Sequence, residues 1–205
     1  MGRIVVMDTE TTGLSPNKHD LIQIACIALN NDFTPDKNVQ PFYMLIKPAH
    51  FQDNEAYYKE IEPAMNVNKL SIKKIMEIGF EPTKAAQLFE EWWGSLGGQP
   101  LDPLCQNYPF DSSFMKAWLG DLSYSHFFSR YYRDTYAGAQ FIADQADFNN
   151  CKPPFPNGKS LTKLANELKI EVTRAHDAFS DCITTAEVYK RLCTYIPIPR
   201  AAAAN

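Results

Sequence analysis

Carboxylates in the first strand-like segment of the chain have a spacing suited to binding a cation. Asp8 and Glu10 are two positions apart and directly follow the apolar run of residues 4–7. Because side chains alternate along a strand, both acids would lie on one face. Neighbouring carboxylates repel each other unless a cation lies between them. Acids facing solvent at a strand end are the alternative, but the apolar run favours a pair at the rim of a buried strand.

A third acid, Asp111, is predicted to lie on a helix. Phe114, Met115 and Trp118 would share its side of that helix, so Asp111 would point along the apolar face. The alternative is an acid at a helix start that satisfies free backbone amides and the helix dipole.

A histidine and a fourth acid occur near the C-terminal end. His176 and Asp181 would project about 140° apart on one continuous helix. They can face the same place if His176 precedes the helix, Asp177 caps it and Ala178 is its first residue. A histidine close to an acid is common, so this pair gains meaning only beside the other carboxylates.

The apolar pattern indicates which elements carry these residues. Strands are predicted over residues 4–10, 21–29, 40–47, 102–106 and 129–134, with a turn at residues 30–32. Helices are predicted from an N-cap at Thr83 to Trp93, and over residues 110–119, 137–147, 161–168 (capped by Ser160) and 178–193. The first three strands suggest an antiparallel meander. Strands followed by mixed helices and strands predict an α/β domain with a mixed sheet.

Size and composition fit one domain. The chain has 205 residues, 45% of them hydrophobic, which is enough to bury one core. We expect a domain over residues 1–196 and a tail over 197–205 that is either a cloning remnant or a frayed end. No segment approaches the roughly 20 apolar residues of a membrane span, so no membrane partner is expected.

The net charge and the cysteines indicate which kind of ligand binding and which cellular compartment to expect. The net charge of −4 argues against affinity that rests on broad phosphate neutralisation. It does not argue against a carboxylate cluster that binds cations, which then attract phosphate. The five cysteines form no C-x-x-C pair, and the N-terminus is a poor secretory signal, so a reducing cytoplasm is expected.

Three motifs taken together resemble the DEDDh family of 3′→5′ exonucleases. They are Asp8-Thr9-Glu10-Thr11-Thr12-Gly13-Leu14, the segment from Gln106 to Met115, and Ala175-His176-Asp177-Ala178-Phe179-Ser180-Asp181. Many members have His-Asn before the second-motif acid, where this chain has Gln106-Asn107. The resemblance implies a ribonuclease-H-like fold, with a mixed five-stranded sheet flanked by α-helices.

The resemblance also implies a reaction. Two Mg²⁺ or Mn²⁺ ions would be held by four carboxylates, namely Asp8, Glu10, Asp111 and Asp181. His176 would act as general base, a role suited to a side chain that titrates near neutrality. The products would be nucleoside 5′-monophosphates from 3′ ends of DNA or RNA, preferably single-stranded.

Substrate contacts follow from the same resemblance. Thr11, Thr12, Gly13 and Leu14 would line the pocket of the terminal nucleotide, and Asn68 and Asn107 would also contact the substrate. Leu14 closing a turn onto the core and Asn68 as a plain loop residue are the alternatives. The aromatic segment 127–132 could stack on bases or lie in a core strand, and the core is favoured.

Two other functions fit the same residues. One is a catalytically inactive nucleic-acid-binding module, and the other is a polymerase-accessory module on the same fold. A homodimer is compatible with either reading.

Overall fold

A five-stranded mixed sheet forms the centre of the molecule. The computed structural model describes residues 2–172 and 176–199. The strands are β1 (Ile4–Thr11), β2 (Leu21–Ala28), β3 (Phe42–Leu45), β4 (Asp102–Cys105) and β5 (Arg133–Asp134), in the spatial order β3-β2-β1-β4-β5. The β1–β2 and β2–β3 pairs are antiparallel, whereas β1–β4 and β4–β5 are parallel.

Helices cover both faces of this sheet. They are α1 (Glu55–Asn68), α2 (Ile72–Ile78), α3 (Pro82–Ser95), α4 (Tyr108–Leu119), α5 (Asp121–Phe127), α6 (Thr135–Phe148), α7 (Leu161–Glu167) and α8 (Ala178–Cys193). Odd positions of β1 pack toward α3 and α4, where Val5 and Met7 share a cluster with Phe89. Even positions pack toward α8, where Val6 meets Cys182. Each face of β1 therefore packs against a different layer of helices.

The predicted fold class is confirmed. The sheet has five strands of mixed direction, and its first three strands form the expected antiparallel meander. Helix α8 begins at Ala178 and is capped by Asp177, as the spacing of His176 and Asp181 requires.

The two predicted helix N-caps, Thr83 and Ser160, do not make the capping hydrogen bonds that were expected. The predicted N-cap Thr83 is wrong, because α3 begins at Pro82 and Glu81, two residues before Thr83, occupies the cap position. Proline suits the first helical position, since its missing N–H would have no partner there. Ser160 does occupy the cap position of α7, but its side chain makes no capping hydrogen bond.

The middle of the chain holds more helix than was predicted. Helices α1, α2 and α5 were missed, and the strand predicted over 129–134 shrinks to Arg133–Asp134. Phe127 ends α5, and the Phe128 N–H donates to the carbonyl of Tyr124 at 2.9 Å. Both rings are buried at a helix end, so they are core residues, whereas Tyr131 and Tyr132 are more than half exposed and the core prediction is wrong for them.

The remaining expectations concern the thiols, the tail and the membrane. No cysteine is in a disulfide, and Cys193 is exposed whereas the other cysteines are buried. The Lys152 N–H donates to the carbonyl of Ile198 at 2.8 Å, so the start of the predicted tail is tied to the α6–α7 loop. Residues 200–205 lie outside the described residues. Across 2–172 and 176–199, no helix combines the length and the apolar character needed to cross a bilayer.

Candidate active site

Acids from β1 and α8 meet at the end of β1. Asp8 and Glu10 occupy even positions, so they lie on the face covered by α8. Asp181 projects from the first turn of α8. Ligand atoms of Glu10, His176 and Asp181 all lie within 4.8 Å of one another. The His176 backbone N–H donates to Asp181 Oδ2 at 3.1 Å, which fixes the entering loop against the helix.

Asp111 reaches the same place from the opposite helix layer. Strand β4 pairs with β1 only as far as Val6, so the edge of β1 beyond that residue is open on the β4 side. Asp111 lies in the first turn of α4 and is only 2% exposed. The Thr9 hydroxyl donates to Asp111 Oδ1 at 2.8 Å. Because β4 ends early, Asp111 can lie beside β1 close to Asp8.

The carboxylates destabilise each other's charges. Burial, followed by repulsion from Asp181 and Asp111, raises the pKa of Glu10 to about 8. Burial also raises the pKa of Asp111 to about 7, although the Thr9 hydrogen bond opposes the rise. The pKa of Asp8 is raised well above its usual range by burial and then by Asp111, Glu10 and Asp181. Asp8 and Glu10 therefore lie close enough to Asp111 and Asp181 to be affected by their charges.

Burial also raises the pKa of Asp181, while the hydrogen bond from the His176 backbone lowers it. A cluster of this kind favours either protons or cations as counter-charge. Carboxylate oxygens suit hard divalent cations, and an imidazole can join them. The donor set therefore fits a divalent metal ion.

A polar residue in the centre of the sheet holds the start of α8. Gln23 is 1% exposed in a strand whose residues are all buried. Its Oε1 accepts from the Ala178 N–H at 2.9 Å, and its Nε2 donates to the Tyr43 hydroxyl at 2.8 Å. The Tyr43 hydroxyl donates in turn to Asp177 Oδ2 at 3.3 Å. This chain of hydrogen bonds fixes the helix that carries Asp181.

A second anchor holds the start of α4. Asp134 accepts from the backbone N–H groups of Asn107 and Tyr108, both at 3.0 Å, and it also caps α6. Asn107 has a φ of 64°, in the left-handed region that asparagine tolerates better than most residues. Gln106 bridges two segments, donating to the Lys159 carbonyl at 2.9 Å and accepting from the Thr135 hydroxyl at 2.5 Å. The departure from His-Asn is therefore accommodated by a structural glutamine.

A cleft of about 570 Å³ opens beside Glu10, and we call it the terminal cleft. The residues that line it include Thr11, Thr12, Gly13, Leu14, Asn68 and Phe110. Leu14 is 85% exposed, so it does not close a turn onto the core. Asn68 is buried as the last residue of α1, where its Nδ2 donates to the Thr11 carbonyl at 3.2 Å. It is therefore not a plain loop asparagine.

Gly13 shapes the floor of this cleft by the space it leaves. A Cβ atom at Gly13 would lie 2.4 Å from Cδ2 of His19. His19 Nδ1 accepts from the Ser15 N–H at 3.1 Å, and its Nε2 lies 3.6 Å from Glu60. The ring is therefore held from both sides, and the turn after β1 requires glycine.

The structure brings together most of the residues predicted from sequence. Ligand atoms of Glu10, His176 and Asp181 lie within 4.8 Å of one another, and Asp8 interacts electrostatically with Glu10, Asp111 and Asp181. Five of the predicted substrate residues line the adjoining cleft. Asn107 does not line that cleft. Sequence analysis missed Gln23, whose signal was a lone amide within an apolar strand. It also missed Phe110 and His19, whose positions depend on how α4 and the β1–β2 turn fold back.

Several known exonucleases are similar to this chain in sequence. Residues 5–90 match the family model described as RNase_T, exonuclease. Escherichia coli 3′-5′ DNA exonuclease Cap18 is 26% identical over 187 residues, covering 91% of this chain and 89% of that protein. A PolC-type DNA polymerase III from Thermotoga petrophila is 25% identical over 188 residues, but the match covers only 12% of the polymerase.

Solved structures share the fold. Escherichia coli Exonuclease I bound to a dT13 oligonucleotide superposes with a TM-score of 0.72 at 18% identity, covering 95% of this chain and 41% of that one. Its zinc-bound complex with single-stranded DNA also gives 0.72, at 19% identity. The chain thus spans less than half of these enzymes and nearly all of Cap18. The family model, the curated relatives and the solved structures all consist of exonucleases or proteins similar to them in this region, so the chain resembles 3′-5′ exonucleases in sequence and shares the fold of Exonuclease I.

Proposed function

We propose that the chain is a metal-dependent 3′→5′ exonuclease that removes nucleoside 5′-monophosphates from single-stranded ends. The observation that carries this proposal is the position of the acid pocket directly beside the terminal cleft. Glu10 lines the cleft and also lies within 4.8 Å of His176 and Asp181, measured between ligand atoms. A nucleotide in the cleft would therefore present its phosphate to the acids.

The metal site consists of Asp8, Glu10, Asp111 and Asp181. We propose that it holds two Mg²⁺ or Mn²⁺ ions, because four carboxylates in one pocket carry the charge that a pair of divalent ions would neutralise. When bound, such ions polarise the phosphodiester and lower the pKa of water. The raised pKa values of Asp8 and Glu10 support this assignment, since burial and then repulsion among the acids disfavour their negative charge, which a bound cation would offset.

His176 is the proposed general base. It is exposed, in a turn just before α8, with a φ of 62°. Its backbone is held by Asp181, so the ring position is coupled to a metal ligand. The imidazole would accept the proton of the attacking water, and the 3′ oxygen of the shortened strand would leave from the opposite side of the phosphorus.

The terminal cleft is proposed to hold the last nucleotide. The backbone amide of Gly13 would contact its 3′ hydroxyl, since the Thr12 amide already donates to the Asp20 carbonyl at 2.9 Å, and exposed Leu14 would pack against the base. Asn68 fixes the position of the Thr11 carbonyl, so it orients this wall of the cleft. For Asn107 the geometry offers no support for a substrate contact, and its position indicates a role in the start of α4.

A gel assay tests the proposed function. DNA and RNA oligonucleotides labelled at the 5′ end, single- or double-stranded, are incubated with Mg²⁺, with Mn²⁺ or with EDTA. We expect a descending ladder on single strands with metal and none with EDTA. Asp181→Asn should abolish the ladder, whereas the exposed Asp147→Asn on α6 should match wild type. A wild-type protein that bound the strand yet left it intact with either metal would instead support the inactive binding module.

The remaining predictions concern the setting of the enzyme. We propose a domain over residues 1–196 and, from the free cysteines, a cytoplasmic location. Self-association stays a prediction that light scattering after size-exclusion chromatography would measure.

A further inference from the structure

A second cleft lies next to the terminal cleft and includes His176 among its lining residues. It has a volume of about 580 Å³, and we call it the basic cleft. The polar residues that line it include Tyr43, Lys69, Ser71, Lys74, His176 and Asp177, and apolar side chains such as Ile75 and Ile78 complete its wall. Asn68 lines both clefts, and Glu10 of the terminal cleft approaches His176 of the basic cleft. The two clefts are therefore neighbours, and the group of Glu10, His176 and Asp181 has one member in each cleft.

The charge of the basic cleft differs from that of the chain as a whole. Its only acid among the lining residues is Asp177, which caps α8 and accepts from the Tyr43 hydroxyl. Lys69 Nζ donates to the carbonyl of Asn66. Lys74 is exposed on α2, and within residues 2–172 and 176–199 its ammonium has no hydrogen bond or ion pair. One cation is thus available in a groove of a protein with a net charge of −4.

We infer that the basic cleft holds the strand on the 5′ side of the scissile linkage, with Lys74 contacting a phosphate one or two linkages upstream. The inference rests on the proposed function, with the last nucleotide in the terminal cleft. A strand whose scissile phosphate is at the acid pocket must leave along a groove that continues from it. The basic cleft supplies that continuation together with a cation, and a Lys–phosphate contact is favourable. Lys74 is therefore a specificity-determining residue for strand length.

Strand length provides the first test. The single linkage of a dinucleotide with a 5′ hydroxyl is the scissile one, so it offers no upstream phosphate, whereas a pentanucleotide does. Lys74→Ala should raise KM about fivefold for the pentanucleotide, as expected for one exposed ionic contact. It should leave kcat for the pentanucleotide and both constants for the dinucleotide unchanged.

The neighbouring lysine is a matched control. Lys73 lies on the same helix, but its ammonium lies 5.8 Å from the centre of the Tyr58 ring and it does not line the basic cleft. Lys73→Ala should match wild type on both substrates. Equal effects of the two alanine variants, or an equal effect of Lys74→Ala on both substrate lengths, would overturn the inference.

A neutral linkage tests the contact itself. A methylphosphonate at either of the first two linkages upstream of the scissile one removes the negative charge from one phosphate. When the methylphosphonate replaces the phosphate that Lys74 contacts, the KM of wild type for release of the terminal nucleotide should rise by about the same fivefold. The KM of Lys74→Ala should hardly change with that substrate. The slope of log affinity against log salt should also fall by about 0.7 in the variant. If the Lys74→Ala substitution and the methylphosphonate each weakened binding independently, so that their effects added up in combination, the proposed contact would be refuted.

The wild-type result separates this inference from the proposed function. If wild type releases no mononucleotide from either substrate, the proposed function fails and the inference fails with it. If wild type is active and Lys74→Ala is indistinguishable from it on both lengths, only the inference fails.

Discussion

Replacing Glu10 with glutamine should stabilise the metal-free protein while removing its activity. The amide keeps the shape of the carboxyl group but carries no charge. Burial and the neighbouring acids raise the pKa of Glu10 from 4.5 to about 8. At about 1.4 kcal/mol for each pKa unit, this rise costs the folded state up to about 5 kcal/mol above pH 8. Neighbouring acids share protons, so we expect a single substitution to recover about 1–3 kcal/mol.

The sign of the pH dependence follows from the direction of that pKa change. The folded protein holds the proton of Glu10 more tightly than the unfolded chain, so wild type loses stability as pH rises from about 4.5 to about 8. Glu10→Gln does not pay this cost. The stability difference between variant and wild type should therefore be largest above pH 8 and should vanish near pH 4.5.

Thermal unfolding measures the effect. In EDTA at pH 8, Glu10→Gln should unfold about 2–12 °C above wild type, since each kcal/mol moves the midpoint of a domain this size by about 2–4 °C. With excess Mn²⁺ the order should reverse, because bound cations stabilise the native state of wild type more than that of the variant. Glu62→Gln, an exposed glutamate on α1, is the control and should change neither midpoint.

One result would refute the reasoning. If Glu10→Gln in EDTA at pH 8 melts at or below the wild-type temperature while still binding less metal, the acids do not repel each other in the folded chain. The pocket would then owe its metal affinity to shape and not to accumulated negative charge.

Three further predictions concern the surroundings of the pocket. His176→Ala should lower kcat about 10²–10⁴-fold, the range for a general base, with Mn²⁺ affinity by calorimetry nearly unchanged; a wild-type rate would exclude this role. Gly13→Ala should raise KM and lower the melting temperature, because the new Cβ atom would lie 2.4 Å from the ring of His19; unchanged values would show that the ring moves freely. Thr9→Val should raise the pKa of Asp111 further, because the hydroxyl that holds it down is lost. As pH falls, the variant should therefore lose activity at a higher pH than wild type does. Coincident pH–rate profiles would contradict the link between Thr9 and Asp111.

The sequence was sufficient to predict the parts of the site that depend on local geometry. Asp8 and Glu10 share a face because strand side chains alternate, and the break between His176 and Asp181 follows from helical spacing. Both features need only the chain within a few residues. The approach of Asp111 could not be predicted in this way, since it depends on β4 ending beside Val6 of β1.

The missed elements have physical causes. Pro63 lies inside α1, and proline in a segment argues against a continuous helix. Helix α2 has only seven residues, too few for a clear apolar repeat. Because these helices form the wall that carries Asn68 and Lys74, the basic cleft could not be predicted from sequence. The buried Gln23 was visible as an exception within β2, but its partner at Ala178 is 155 positions away.

The position of β1 explains why the site forms where it does. This strand lies between antiparallel β2 and parallel β4, so only on the β4 side does the sheet end early and leave an open edge. Asp8 and Glu10 therefore have α8 above them and Asp111 beside them at that edge. The same geometry that collects the acids also leaves them to repel one another without a cation. The stability of the metal-free chain and its affinity for metal ions therefore depend on these acids in opposite ways. A substitution at one of the acids that raises the stability should lower the metal affinity.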